Sequence, residues 1–282
     1  MLEDVIFGQI VMPGEAIRIL VAFLGVCIAA YFDIFNKKNV PDQFLQGFLA
    51  VAFILNLILY QADLFWFSVA VAVFFSAIGY IFYRLGQLGG ADVFILASVM
   101  LLLPIAPSFS GMSFNIPFVF PVIIFSGIAF AIYVMGYYGY KLSQGEVKPK
   151  LVYALMLIPY ILFAYVYINS FLFSPMYFVL ITILLLATIF FLMFRDQLNQ
   201  LLSEEVPVAK LEPEDVLALE VMNKDLVERY KLPRVMTPDA IDKLKKTKIG
   251  EVWVYTQLPP FVPFILLGML LSLLFAKSLL LL

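Results

Sequence analysis

The chain contains no histidine and only one cysteine, and this composition excludes many hydrolytic mechanisms and metal sites. Without histidine there is no Ser-His-Asp or Cys-His catalysis, no His-Glu-x-x-His zinc site and no haem ligation by histidine. With Cys27 as the only cysteine, disulfides within the chain and cysteine-based zinc sites are excluded as well. The hydrolytic chemistry that remains uses carboxylates, lysines or a serine with a lysine base.

Charged residues are scarce too. They make up 13% of the 282 residues, whereas hydrophobic residues make up 63% and the mean hydropathy is +1.00. Soluble domains carry about 25% charged residues, so the composition indicates an integral membrane protein surrounded by lipid. The net charge of −2 offers no basic face for neutralising several phosphates. We therefore expect no nucleic-acid partner.

Long apolar runs predict an all-α polytopic membrane protein with about six to eight transmembrane helices, since a span takes about 20 helical residues. The fourth run is the shortest and has Pro104 and Pro107 at its end. We expect it to begin or finish inside the membrane. The expected spans are 15–33, 43–60, 64–83, 92–107, 117–140, 151–168, 172–194 and 259–281.

Residues 195–258 differ from the rest of the chain, because they hold 22 of the 38 charged residues. We expect a small, water-exposed α+β insertion here. It would lie between a transmembrane domain, residues 1–194, and a C-terminal transmembrane helix within residues 259–282. This division gives three parts, of which the first carries the candidate catalytic residues discussed below.

Local patterns predict the secondary structure of this insertion. The helical spacing of Val216, Leu219 and Leu226 predicts a helix over residues 213–228. Thr237-Pro238 is typical of a helix start, with threonine as the cap and proline at the first helical position. Residues 249–256 are rich in β-branched and aromatic side chains, which is typical of a strand.

The distribution of lysine and arginine predicts the orientation of the spans. If the loop with Lys37 and Lys38 is cytosolic and the spans alternate, the charged insertion is cytosolic as well. Only Arg18 and Lys277 then fall outside or at outer helix ends. We expect a multi-pass protein of the cytoplasmic membrane with both termini outside the cell.

Four aspartates lie within or at the edges of the expected spans: Asp33, Asp42, Asp63 and Asp92. Acids in such positions are energetically costly, which makes each a functional candidate. Asp63 falls on the outer side, away from the other three. Asp33 ends the first span and Asp92 begins the fourth, so both are expected at the cytosolic membrane edge.

Two carboxylates brought close together share one proton, because both cannot ionise easily. One then serves as a base toward water and the other as an acid toward the carbonyl oxygen or the leaving amine, which is the requirement of aspartic proteolysis. Gly89, Gly90 and Ala91 precede Asp92 in a turn. The two glycines lack a Cβ, can take positive φ, and would let a substrate backbone approach the acids.

The sequence Gly89-Gly90-Ala91-Asp92 resembles the glycine-aspartate motif of the type IV prepilin peptidase family, more narrowly its archaeal branch, which includes the preflagellin peptidases. The resemblance covers about residues 14–110. Ala91 stands where the family often has glycine, and residues 111–200 carry no matching motif. Further residues that support the resemblance are Asp33, Lys37-Lys38, Val40-Pro41-Asp42 and the Leu-Pro-Pro-Phe-Val-Pro-Phe sequence of residues 258–264.

The resemblance implies a membrane aspartic endopeptidase that removes the short basic leader from pilin-like or archaellin (preflagellin) precursors at the cytosolic face of the membrane. Asp33 and Asp92 would be its catalytic pair, with no cofactor and no metal. Bacterial relatives often carry a cysteine cluster and methylate the new N-terminus. This chain has neither that cluster nor a glycine-rich strand-turn-helix for a methyl donor, so we expect cleavage alone.

Several readings stay open at this stage. Asp42 is either the N-cap of the second span or, with Lys37 and Lys38, a substrate contact. Asp33 is either catalytic or an interfacial partner of Lys37. An acidic group in the insertion either attracts a basic leader or is a solvated surface: Glu204, Glu205, Glu212, Glu214 and Asp215.

Two other functions use the same acids. A presenilin-like intramembrane aspartic protease shares a glycine-aspartate motif, but Phe32 rather than tyrosine precedes Asp33 and no Pro-Ala-Leu sequence occurs near the C-terminus. An ion or proton transporter would use Asp33 and Asp92 as a cation site. No pair of matching interrupted spans in two related halves supports the transporter.

Overall fold

Helices dominate the structure, a computed structural model that describes residues 10–36, 39–110, 116–145, 147–247, 249–256 and 258–280. The first four apolar helices are α1 (Glu15–Phe35), α2 (Asp42–Ile58), α3 (Ala62–Arg84) and α4 (Gly90–Leu102). They are followed by α5 (Val119–Ser143), α6 (Leu157–Ile168, continuous with the 3-10 turns of Leu151–Met156), α7 (Pro175–Met193) and, at the end of the chain, α11 (Val262–Leu280).

Among the described residues, five helices are long and apolar enough to cross a membrane: Glu15–Phe35, Ala62–Arg84, Val119–Ser143, Leu151–Ile168 and Pro175–Met193. Asp42–Ile58, Gly90–Leu102 and the Val262–Phe275 part of the last helix are shorter but equally apolar in character. All eight predicted spans are helical over most of their length. The chain is therefore a helical membrane protein.

Helix α4 is the shortest of the predicted spans that the structure places in the core. It has 13 residues and ends at Leu102, before Pro104, as the prolines predicted. At 1.5 Å per residue it is about 20 Å long, less than the hydrocarbon thickness. Leu103 and Ile105 continue as non-helical chain that is fully buried in protein. Irregular backbone at this depth is tolerated only when it is shielded from lipid.

The buried end of α4 is held by Arg18. The sequence predicts Arg18 outside or at an outer helix end; in the structure it lies near the start of α1 and is completely buried. Its guanidinium donates to the carbonyl oxygens of Leu101 and Leu102, each at 3.3 Å, and to the carbonyl oxygen of Leu59 at the same distance. The last carbonyls of a helix have no partner within the helix and carry negative partial charge, so a cation satisfies both needs.

Arg18 is tied to a second polar side chain, Asn56 of α2. Both terminal nitrogens of the guanidinium lie 3.0 Å from Asn56 Oδ1, and the amide nitrogen of Asn56 donates to Ser68 Oγ of α3 at 2.5 Å. Three buried residues thus join α1, α2, α3 and the end of α4 by hydrogen bonds. Such links are needed between transmembrane helices, because lipid gives no hydrophobic force that would press them together.

The last helix packs against α5 and α1 and returns the end of the chain to this core. Gly268 permits the close approach to α5, since a Cβ there would lie 2.0 Å from Ser126 Oγ and 2.6 Å from the carbonyl oxygen of Val122. The first turn of α11 is thereby placed beside the end of α1. This contact brings the N–H of Val262 to the carboxylate of Asp33.

The charged segment forms α8 (Arg195–Leu202), β1 (Ser203–Pro207), α9 (Lys224–Tyr230), α10 (Pro238–Lys245) and β2 (Glu251–Tyr255). We call residues 203–255 the polar unit. Its strands pair antiparallel, with Ser203 opposite Tyr255 and Pro207 opposite Glu251. The unit has its own core of buried apolar side chains: Val208, Leu211, Leu217, Leu232, Met236, Ile241, Leu244, Val252 and Val254.

Two of the three local predictions for this segment are confirmed. Thr237 caps α10 by accepting a hydrogen bond from the Ala240 N–H at 3.3 Å, and the predicted strand contains β2. The predicted helix over 213–228 is confirmed only from Lys224, where α9 begins, and is wrong before that, because Val216 and Leu217 pair with extended chain instead. The N–H of Leu217 donates to Arg234 O and that of Ala218 to Trp253 O, each at 2.8 Å.

Replacing Arg18 by methionine is expected to lower the thermal stability of the purified protein strongly. The substitution leaves the Asn56 amide oxygen and the helix-end carbonyls without their donor, and each buried unsatisfied group costs about 1–3 kcal/mol. Thermal unfolding in detergent measures the effect. Arg84→Met is the matched control, because it removes an exposed arginine at the C-terminal end of α3. Equal melting temperatures for the two variants would contradict the role of Arg18.

Candidate active site

Asp33 lies in the last turn of α1, two residues before its end, and is buried, with 6% of its surface exposed. One of its carboxylate oxygens, Oδ2, accepts a hydrogen bond from the backbone N–H of Val262 at 3.0 Å. Val262 is the first residue of α11. The first N–H groups of a helix lack intrahelical acceptors and carry positive partial charge, so this position favours a carboxylate.

Asp92 also lies beside the N-terminus of a helix, in the first turn of α4, and it is likewise 6% exposed. Its Oδ2 accepts a hydrogen bond from the Gly89 N–H at 2.9 Å. Asp92 is the third residue of the helix and Gly89 is the N-cap. The side chain thus folds back on the start of its own helix, which is the reciprocal half of a capping box.

Both aspartates line one cavity of about 330 Å³, and their carboxylates are near enough to interact electrostatically. The cavity lies where α1 and α3 end and where α4 and α11 begin. The segment from Gly86 to Ala91 and Phe130 of α5 complete its lining. Phe130 also packs edge-to-face on Phe261, with ring centroids 5.3 Å apart, so one wall of the cavity is aromatic.

The turn before Asp92 differs from the expected backbone conformation. Gly89 has φ of −73° and Gly86 has φ of +68°, so the left-handed residue is Gly86, three positions before the predicted motif. Gly89 matters for space instead. A Cβ at Gly89 would lie 3.1 Å from Asp92 Oδ2 and would press on the carboxylate. Gly90 and Ala91 also line the cavity.

The polar unit supplies a further wall of the cavity through Glu214, Val216 and Val235. Val216 and the aliphatic part of Arg234 pack against Gly86, where a Cβ would lie 2.9 Å from Val216 Cγ1. The amino-acid sequence alone does not indicate this wall. Glu214 was one of five acids in a charged stretch, and no local pattern distinguished it from its neighbours.

The remaining predicted site residues do not reach this cavity or are not described. Asp42 is exposed and does not cap α2, because Pro41 holds the N-cap position and Asp42 is the first helical residue. Asp63 lies in the first turn of α3, at the opposite end of that helix from Tyr83, which lines the cavity. Lys37 and Lys38 lie outside the described residues.

Within the described ranges, no group of three or more aspartate, glutamate or cysteine side chains is arranged to hold a metal ion. No protein-family model, curated protein or solved structure matches this chain. The chemistry of the site must therefore be inferred from its own residues: two buried carboxylates, each beside a helix N-terminus, in a cavity that the polar unit also lines.

Cysteines placed at residues 33 and 92 are expected to be joined by a short bifunctional thiol reagent. The test uses Asp33→Cys with Asp92→Cys in a Cys27→Ser background, and cross-linking is detected by the mass of a peptide pair after proteolysis. Asp63→Cys with Asp92→Cys is the control, because Asp63 lies at the far end of α3. Cross-linking of the control pair but not of the first pair would contradict the shared cavity.

Proposed function

We propose that this protein is a membrane aspartic endopeptidase that uses Asp33 and Asp92 to hydrolyse a peptide bond. The observation that supports the proposal is the common cavity of these two buried carboxylates, formed where one helix ends and another begins. Buried acids of membrane segments are costly to retain, and a pair facing one cavity has a chemical use. The motif resemblance of Gly89–Asp92 points to the same reaction.

In the proposed reaction the two carboxylates hold one proton between them. The ionised carboxylate takes a proton from water as the water oxygen attacks the carbonyl carbon, and the protonated one gives its proton to the carbonyl oxygen. Collapse of the tetrahedral intermediate breaks the C–N bond, and the leaving amine takes up the proton that the first carboxylate received. The hydroxyl proton of the intermediate returns to the second carboxylate, so the pair again holds one proton.

The backbone N–H groups of Gly89 and Val262 contribute to this scheme by fixing the carboxylates. Each engages one oxygen of its aspartate, at 2.9 Å for Asp92 and 3.0 Å for Asp33. A hydrogen bond from a backbone N–H to a carboxylate oxygen fixes the orientation of the side chain. Preorganisation of this kind lowers the barrier, because the groups need little rearrangement as the reaction proceeds.

The substrates that fit best are pilin-like or archaellin precursors, with a short basic leader before an apolar helix. In the proposed topology about six to eight helices cross the cytoplasmic membrane, both termini are outside, and the polar unit and the cavity are at the cytosolic face. The apolar helix of the precursor then stays in the lipid while its leader enters the cavity from the cytosol. Methylation of the product is not part of the proposal.

The position of the cavity favours this reaction over cleavage deep in the membrane. It lies at helix ends and is bounded on one side by the charged polar unit, which requires water around it. A presenilin-like protease would cut a bond within an apolar span. The same aspartate variants test for an ion or proton transporter. A transporter would lose ion or proton flux in these variants, and its wild type would show no cleavage.

Asp33→Asn and Asp92→Asn are each expected to abolish cleavage of a co-reconstituted pilin-like precursor, a loss of at least about 10³-fold if both general acid and general base are needed. The mass of the released leader is the readout. Asparagine keeps the size of the side chain, so insertion and thermal stability should be retained. Asp42→Asn and Asp63→Asn are the matched controls, expected to cleave at nearly the wild-type rate.

Cleavage retained in either Asp33→Asn or Asp92→Asn would contradict the catalytic pair. If the wild type cleaves no precursor, proton or cation flux into proteoliposomes decides between the alternatives. Flux that disappears in both variants would favour the transporter and overturn the peptidase.

A further inference from the structure

Glu214 is a third carboxylate at the cavity, and it comes from the polar unit rather than from the membrane helices. The phenol of Tyr83, at the end of α3, donates to its Oε1 at 3.0 Å. The same carboxylate approaches the motif turn, since its Oε1 would lie 3.6 Å from a Cβ on Gly90. The side chain therefore connects the polar unit with the start of α4, next to Asp92.

The charge of the cavity is unbalanced. Asp33, Asp92 and Glu214 all face it, whereas no lysine or arginine is among the described residues that line it. Arg234 packs its aliphatic part near Gly86, but its guanidinium forms an ion pair with Glu220. Glu220 also accepts a hydrogen bond from the Tyr255 hydroxyl at 3.1 Å. Burial and the charge of Glu220 raise the pKa of the Tyr255 hydroxyl to about 12, so this hydroxyl stays protonated and donates.

The three carboxylates differ in what surrounds them. Asp33 and Asp92 are buried and are engaged by backbone N–H groups, whereas Glu214 is exposed and is engaged by one phenol. A carboxylate has about four lone-pair sites, so the phenol leaves room for further donors. Glu214 is also free of ion pairs with any cation in the part of the chain that the structure describes.

We propose that Glu214 binds a lysine or arginine side chain of the peptide substrate and thereby selects the bond that Asp33 and Asp92 cut. This inference rests on the proposed peptidase function. The substrate class is a peptide that carries a basic residue close to the cleaved bond. Tyr83 is a positioning residue, because its hydroxyl fixes the carboxylate of Glu214 and does not touch the reacting bond.

The position of Glu214 explains why one acid of the charged stretch has this role. Glu212 and Glu214 are both exposed, but Glu212 does not line the cavity and Glu214 does. Glu214 adopts φ of +75°, in the left-handed region, on the segment whose following residues pair with extended chain. Val216 pairs with Val235 and Leu217 pairs with Val254, which fixes this segment within the polar unit. The side chain of Glu214 is directed toward Tyr83.

The test compares two precursors in steady-state cleavage by reconstituted protein. The first carries lysine next to the cleaved bond, and the second carries glutamate at that place. Glu214→Gln is expected to raise KM for the lysine precursor by about tenfold, the scale of one hydrogen bond between charged groups, with kcat changed less than about twofold. Glu214→Lys is expected to prefer the glutamate precursor. Glu212→Gln is the matched control and should leave both constants unchanged.

Tyr83→Phe is the second variant and keeps the test informative if the polar unit tolerates no change at Glu214. It should raise KM for the lysine precursor by about threefold and leave the glutamate precursor unaffected, since it loosens Glu214 without removing charge. Unchanged KM in Glu214→Gln, with cleavage by the wild type, would overturn the role of Glu214 alone. Absence of cleavage by the wild type would overturn the peptidase function and this inference together.

Discussion

The buried guanidinium of Arg18 is the interaction on which the membrane core depends. Helix α4 ends inside the protein, where neither water nor lipid can donate hydrogen bonds to its last carbonyls. Arg18 donates to Leu101 O and Leu102 O and at the same time to Asn56. A cation without these acceptors would be too costly to bury, and the helix end without the cation would be unsatisfied. Each feature is therefore stable only in the presence of the other.

The opposite ends of the same helices carry the candidate site. Along α1, Arg18 and Asp33 are 15 positions apart, or about 22 Å at the helical rise. At the Arg18 end, the polar groups satisfy one another and the structure is closed. At the other end, Asp33 and Asp92 take one backbone N–H each and face a cavity. The hydrogen bonds of Arg18 fix the helices relative to one another at one end, and the two aspartates line a cavity at the other.

The polar unit has a part in the site that its charge content did not suggest. A region with many charged residues is expected to be water-exposed, and much of this one is, yet it also forms a wall of the cavity. The reason is local: the segment 214–218 pairs with extended chain instead of forming a helix, and Val216 packs on Gly86. The apolar spacing of this segment is compatible with either conformation, and contacts with distant residues select the extended one.

The sequence predicts the helical membrane character, the positions of most apolar helices, the early end of α4 before Pro104 and the start of α10 at Thr237, because composition, proline and capping residues act locally. It also singled out Asp33 and Asp92 as costly acids. Tertiary packing brings Val262 to Asp33, buries Arg18 and places Glu214 at the cavity. These contacts join residues up to 229 positions apart, and such pairings depend on helix packing that no local pattern encodes.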